Sequence, residues 1–285
     1  SGAEVKLPTT PAEIEAELAA LIQAHIDAHP RSLQKAIGPS ELGTPCQRKL
    51  GHKLAGTPET WVADRWKATI GTAVHAEFEM MMAKAAIAWA NAHPAPTKLG
   101  TSDLEHARAA RWLVEQTVTV GTVAGRPVKG HCDLFDTLTG TVLDWKFTTK
   151  NKIRTQYKPQ GPGQTYRHQA HLYGAGMVNA GHQVNRVGIF FLTRDGMLTD
   201  RYLWSEPFRP DVAQEALTRA NTVADLLAVL PPGDALAALD RTDDYCTYCP
   251  FLSPSNTDPA TGCPGAPATQ AATAIPPNLQ DALHL

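Results

Sequence analysis

The run from Val128 to Thr148, VKGHCDLFDTLTGTVLDWKFT, constrains the fold of this chain more than any other stretch. Two segments rich in β-branched and aromatic residues flank DTLTG, the pattern of two strands joined by a tight turn. A turn centred between Leu138 and Thr139 pairs residues whose numbers sum to 277, which makes Asp133 and Asp144 cross-strand partners. Strand side chains alternate, so Asp144 and Lys146 share one face while Leu143, Trp145 and Phe147 share the other, the expected core face. Slipping the register by one residue would reverse every side chain.

Two carboxylates directly opposite one another repel. The arrangement becomes sensible around a divalent cation such as Mg²⁺ or Mn²⁺, which takes oxygen ligands and leaves positions for water and phosphate. Lys146 would then stand beside the metal, placed to orient or deprotonate a water or to stabilise charge developing on a phosphate. Taken alone, the same residues also read as an ordinary solvated Asp–Lys pair.

Around the hairpin the chain alternates helical and extended patterns. Residues 11–29 are expected to be helical, with Thr10 as N-cap and Pro11 at the first position. A broken helical segment is expected at 39–54, and a longer one from Thr60 to Asn91 with an interruption near Gly71. Strands are expected at 112–120, 128–136, 141–148, 185–193 and 199–204. Helices follow the PQGPG loop through Ala180 and cover 211–230. This is an α/β order with a central mixed β-sheet flanked by helices.

Charge is distributed unevenly. Between Lys146 and Arg194 there is no acid, while Lys146, Lys150, Lys152, Arg154, Lys158, Arg167, Arg186 and Arg194 supply eight of the 26 basic residues. The remaining 18 face 28 acids. A basic segment is the electrostatic footprint of a polyanion, although a solvated basic face has the same composition. No apolar run reaches the roughly 18 residues of a membrane span, and no leader pattern opens the chain, so a cytoplasmic protein without a membrane partner is expected. A GxxxxGK[ST] phosphate loop is lacking, which argues against an ATP-driven motor.

Three motifs then fall in a telling order: GHCD at 130–133, LDWK at 143–146 and QAHLY at 169–173, preceded by GTAVH at 71–75. Together they resemble the PD-(D/E)XK nucleases, and within them the RecB-like exonucleases. The resemblance implies a restriction-endonuclease-like core, a metal site built from His75, Asp133 and Asp144, and Lys146 as the third catalytic residue with Asp133 and Asp144. It implies too that Gln169 and Tyr173, of the QxxxY motif, hold DNA or Lys146. Cys132 stands where Pro is usual before Asp133; by alternation it should enter the core. Glu79, one turn beyond His75, reads as solvated, and Glu115 on the preceding strand is a weaker metal candidate that is set aside.

Cys246 and Cys249 form CTYCP, Cys263 lies in GCP, and Cys46 stands almost two hundred residues earlier. CxxC is a chelating spacing, because two thiolates on one turn reach one metal. Five cysteines in a chain expected to be cytoplasmic favour thiols or metal ligands over disulfides. One N-terminal and three C-terminal cysteines resemble the [4Fe-4S] site of RecB-like nucleases of the AddB and CRISPR-adaptation types. Zinc is the rival occupant, and the long spacer before Cys263 makes it the least secure ligand.

The expectation is therefore one nuclease domain over residues 6–263, comprising a helical part (6–60), a core (61–230) and a cysteine part (240–263), with 264–285 as a mobile tail. The expected activity is metal-dependent DNA exonuclease action on single-stranded or frayed ends, with Lys150, Lys152, Arg154 and Lys158 guiding the strand. The resemblance implies service in DNA repair or recombination, recombination or replication proteins as partners, and relatives encoded by phages. A catalytically inactive DNA-binding module, and an endonuclease or trimming subunit of a larger complex, are the alternatives.

Overall fold

Five strands form one sheet in the order β1-β2-β3-β4-β5: Trp112–Val123, Arg126–Asp136, Thr141–Thr148, Arg186–Thr193 and Tyr202–Pro207. The computed structural model describes residues 10–28, 37–60, 66–93 and 111–267. Neighbouring strands run antiparallel except for β3 and β4, which are parallel, so the sheet is mixed. Parallel neighbours need a crossover. Residues 150–160, a helical stretch with a π-turn over Ile153–Tyr157, and a long helix provide it.

The helices are α1 (Pro11–Ala28), α2 (Pro39–Leu42), α3 (Gln47–Ala55), α4 (Trp66–Ala92), α5 (Gly163–Asn179), α6 (Pro210–Val229) and α7 (Pro232–Ala238). The first begins at an N-terminal capping box: Glu13 N–H donates to Thr10 Oγ1 at 3.3 Å, and Thr10 N–H donates to Glu13 Oε2 at 3.0 Å. Gly71 does not interrupt α4, and the last strand begins at Tyr202, three residues beyond the expected start, because Leu198–Asp200 coil into a 3-10 turn.

The hairpin has the expected register: Leu134 pairs with Leu143, Phe135 with Val142 and Asp136 with Thr141. Both faces of the sheet are covered, which corrects the expected division into core and active faces. The larger core gathers Cys132, Phe135, Val142, Leu172, Met177 and Ile189. It lies on the Asp144 side, under α5 and α6. Leu134, Leu143, Trp145 and Phe147 form a smaller cluster with Phe78 and Met82 of α4. The two acids are therefore inside the molecule, Asp133 6% and Asp144 1% exposed.

Close approach of α2 to α5 depends on Gly43, where a Cβ would stand 2.5 Å from the Thr165 carbonyl oxygen. Two arginines, Arg48 buried and Arg219 half-buried, tie the N-terminal corner to the C-terminal helices. Arg219 Nη2 donates to Leu42 O at 2.7 Å and to Thr44 O; Arg48 Nη2 donates to Ala237 O and to Leu239 O at 3.3 Å. The expected tail does not begin at Pro264: Gly265 O accepts from Arg241 at 2.9 Å and Ala266 is 3% exposed. The rest of that tail, 268–285, lies outside the described residues. No helix among the described residues is long and apolar enough to cross a membrane.

Candidate metal and nucleic-acid site

Strict alternation fails at one rung shared by β1 and β2. Val114 and Leu134 join the cluster under α4, yet Val118 and Cys132 join the larger core. In each strand an even number of positions separates the two residues, so they should share a face. The switch occurs at Glu115 and Asp133, which would complete the register between the pairs Val114–Leu134 and Gln116–Cys132. Glu115 has φ 48°, in the left-handed region that favours glycine. Such a conformation costs on the order of 1 kcal/mol and persists where surrounding contacts demand it, commonly at a functional site.

The switch brings the acids to α4. His75, Glu115 and Asp133 offer ligand atoms within 4.8 Å of one another, and His75 Nδ1 lies 3.5 Å from Asp133 Oδ2. Helix periodicity explains the placement of the histidine. Phe78 and Met82, three and seven residues further along α4, face the sheet with it. Phe78 makes edge contacts with Trp145 and Phe147 at 5.4 Å, and Phe147 supports the His75 ring at 5.6 Å. Glu79 is exposed, as expected.

Asp144 stands on the other side of Asp133. Its Oδ2 forms an ion pair with Lys146, and its Oδ1 accepts from Gln169 Nε2 at 3.2 Å. Asp133 Oδ2 accepts the Trp145 N–H at 2.8 Å, so its side chain is anchored to the β3 backbone. Burial, and then the Asp144 charge, hold the Asp133 carboxyl well above the usual range. For Lys146 burial opposes the charge, but Asp144 and Asp133 outweigh it and raise the ammonium above its ordinary value. Glu115, Asp133 and Asp144 against Lys146 leave this centre two negative charges when all are ionised, a match for a divalent cation.

Tyr173 is 7% exposed, and burial and then Asp144 push its hydroxyl up, keeping it neutral. Its ring lies over Gly130, where a Cβ would meet Tyr173 at 2.9 Å and Pro39 at 2.6 Å. The glycine of GHCD and the tyrosine of QAHLY are thus one packing contact. Cys132 is fully buried, and burial raises its thiol, in keeping with a core residue.

The basic run is less cationic in space than along the chain. Besides Lys146, Lys150 pairs with Asp200 at 3.0 Å and Arg167 with Glu206 at 2.6 Å. Arg154 and Lys158 are exposed, while half-buried Lys152 donates to Tyr245 Oη at 3.2 Å. The acids responsible lie outside the 146–194 interval, so sequence proximity could not reveal them. Glu115 was within view as the one acid in the strand pattern WLVEQTV, but its φ and its rung partner exist only in the folded sheet.

Far along the chain, Cys46, Cys246, Cys249 and Cys263 line one small cavity with Lys49, His52, Arg241 and Asp244. None of the five thiols is in a disulfide. The spacer before Cys263 loops out and returns, since Cys263 N–H donates to Phe251 O and its carbonyl accepts from Ser253 N–H, both at 2.7 Å. Cys46 caps α3, its sulfur accepting the Lys49 N–H at 3.4 Å. Burial pushes the Cys249 thiol up to about 11 and raises that of Cys263, so a bound metal would be needed to hold them as thiolates. Arg48, 6% exposed, has its guanidinium pKa lowered by burial, with the Cys263 and Cys46 charges opposing that shift. Its Nε has no hydrogen-bond partner, nor does the fully buried His52 Nε2, whose ring lines the same cavity.

No protein-family model matches the chain, and no curated protein matches it. Among solved structures it is similar to one titled "Crystal structure of SSO0001", at 15% identity and a TM-score of 0.40, over 84% of this chain and 93% of that chain.

Proposed function

We propose that this chain is a metal-dependent DNA exonuclease of the PD-(D/E)XK kind, acting on single-stranded or frayed ends, with the four cysteines holding a structural metal centre. The observation that carries it is the convergence of His75, Glu115 and Asp133 within 4.8 Å, beside the Asp144–Lys146 pair. His75, Glu115 and Asp133 would hold Mg²⁺ or Mn²⁺, with Asp144 at the adjoining position; the imidazole leans toward Mn²⁺. The ion, when bound, supplies Lewis-acid stabilisation of the leaving oxygen in an in-line displacement. Lys146 places its ammonium beside the scissile phosphate, where it orients the attacking water and offsets negative charge on the phosphate oxygens. Gln169 holds Asp144 in position for that task, and Phe147 fixes the His75 ring. Exposed Arg154 and Lys158, in the helical stretch that follows the strand bearing Lys146, offer contacts to the backbone phosphates of the incoming strand.

The cysteine cavity suits an anionic thiolate centre. Buried cations cost several kcal/mol unless compensated, and the thiolates of Cys46 and Cys263 are the charges that counter the burial of Arg48. Four thiolates on zinc at ~2.3 Å would sit ~3.8 Å apart. Four cysteine ligands suit zinc and a [4Fe-4S] centre alike, so experiment identifies the metal.

End-labelled single-stranded DNA incubated with Mn²⁺, Mg²⁺ or chelator tests the reading. Cleavage is expected with either ion and not with chelator, and Lys146→Ala should abolish cleavage while DNA binding persists. Undiminished cleavage by Lys146→Ala would overturn the assignment. Binding without cleavage under all conditions would favour an inactive DNA-binding module, and cleavage of circular single-stranded DNA an endonuclease. Iron analysis and a visible spectrum of anaerobically purified protein separate the two cysteine-bound metals.

A further inference from the structure

The cysteine segment touches the basic segment that follows the catalytic strand, through one strained and exposed tyrosine. Tyr245, immediately before Cys246, has φ 54° and ψ 50°. A bulky aromatic residue in the left-handed region is an outlier. The residue nevertheless remains 59% exposed, so burial does not compensate the strain. Lys152 Nζ donates to its hydroxyl at 3.2 Å and stands 5.2 Å from the ring centroid.

The contact continues inward. Lys152 Nζ also lies 5.4 Å from the Tyr157 ring, Tyr157 and Tyr166 are 6.3 Å apart, and Lys146 Nζ lies 5.2 Å from the Tyr166 ring. Lys146, Tyr166, Tyr157, Lys152 and Tyr245 therefore form one chain of contacts from the catalytic lysine to the cysteine segment, in which Tyr157 is buried and Tyr245 presents the exposed ring. This composition suits a single strand, whose phosphates seek cations and whose bases stack on any aromatic face.

We infer that Tyr245 is a base-stacking residue for the single strand, held over Lys152 by the Cys246 turn. The cysteine centre thereby sets the strand's path as well as joining the two ends of the chain. Cys246 N–H donates to Asp243 Oδ1 at 3.2 Å, and Tyr248 N–H donates to Tyr245 O at 2.8 Å, so the turn that carries the ring is the one that carries the thiolate. The inference rests on the proposed nucleic-acid function.

Its test uses the full-length protein with its cysteine centre loaded and a fluorescent single-stranded oligonucleotide, in buffer without added Mg²⁺ or Mn²⁺ so that no cleavage occurs, with binding read by anisotropy. Removal of the ring in Tyr245→Gly should weaken binding by about 5- to 150-fold, the span measured for loss of one stacked base. The same change relieves the left-handed strain, so the melting temperature should hold or rise and the metal content stay the same. Tyr245→Phe, which keeps the ring, should bind within about threefold of the parent.

Moving one abasic position along the oligonucleotide should reveal one site where base loss weakens binding to the parent, and that dependence should vanish in Tyr245→Gly. A purely structural tyrosine would leave this profile unchanged. Equal affinity of the parent and the Gly variant would overturn the inference alone and leave the nuclease reading intact. A Phe variant as weak as the Gly variant would overturn stacking, since the hydroxyl would then carry the effect. Failure of the parent to bind any single-stranded oligonucleotide would overturn both readings.

Discussion

Neutralising Asp133 should make the metal-free protein more stable, the reverse of what a buried substitution normally does. Carboxylate oxygens of Glu115 and Asp133 lie within 4.8 Å, which at an effective dielectric of about 20 is a repulsion of at least about 3.5 kcal/mol when both are ionised. Lys146 and the Trp145 N–H offset part of it, yet burial and Asp144 win and the carboxyl is pushed up. With that repulsion partly offset, Asp133→Asn should stabilise the metal-free fold by about 1–3 kcal/mol. The amide oxygen still accepts the Trp145 N–H.

For a chain of this size, at about 2.1 cal/mol/K per residue, that gain raises the melting temperature by roughly 2–5 °C. Because the folded carboxyl titrates above its unfolded value of about 3.9, the penalty removed is small near that pH and grows as pH rises toward the folded pKa. Saturating Mn²⁺ should reverse the order. Ligand at one hundred times its dissociation constant stabilises the parent by ~2.7 kcal/mol and the variant far less. Thermal melts of both proteins, with chelator and with Mn²⁺, measure all four values. A variant that melts below its parent in chelator, as ordinary core substitutions do by ~0.5–3 kcal/mol, would refute the claim that these acids are held together at a cost for a cation.

Gln169→Ala should slow cleavage about 10- to 100-fold without unfolding the protein, because it removes one hydrogen bond to a charged group worth ~1.5–3 kcal/mol; single-turnover cleavage of labelled DNA measures it. Gly43→Ala should cost about 1–3 kcal/mol, since the new methyl meets the Thr165 backbone 2.5 Å away and no side chain can yield; urea unfolding reads the loss. Stability should also fall in mild acid through His171. Its Nδ1 accepts the Arg209 N–H at 3.1 Å and its Nε2 donates to Glu206 at 2.6 Å, and burial lowers its pKa. The neutral ring's contribution is complete above the unfolded value of about 6.5 and is lost as pH falls toward the depressed folded value. Melting temperatures between pH 7.5 and 5 should decline more steeply for the parent than for His171→Asn.

What the amino-acid order determined by itself was local. Hairpin register depends on turn position and a period of two, so the pairing of Leu134 with Leu143 was legible from DTLTG alone, whereas the ladder ends there and does not extend to the expected rung of Asp133 and Asp144. Helical spacing likewise put Gln169 and Tyr173 on one face of α5, and the CxxC spacing brought Cys246 and Cys249 together. Tertiary structure decided the rest, because those features arise between segments far apart in the chain. The shared rung of Glu115 and Asp133 inverts alternation in two strands at once, which no single-strand pattern can express. Asp200 and Glu206 neutralise lysine and arginine from a run that holds no acid of its own. Cys263 returns to Cys249 through backbone bonds to Phe251 and Ser253, so a long spacer became a short distance. Periodicity records which face a side chain takes, but distance through space between remote segments is set only when the core closes.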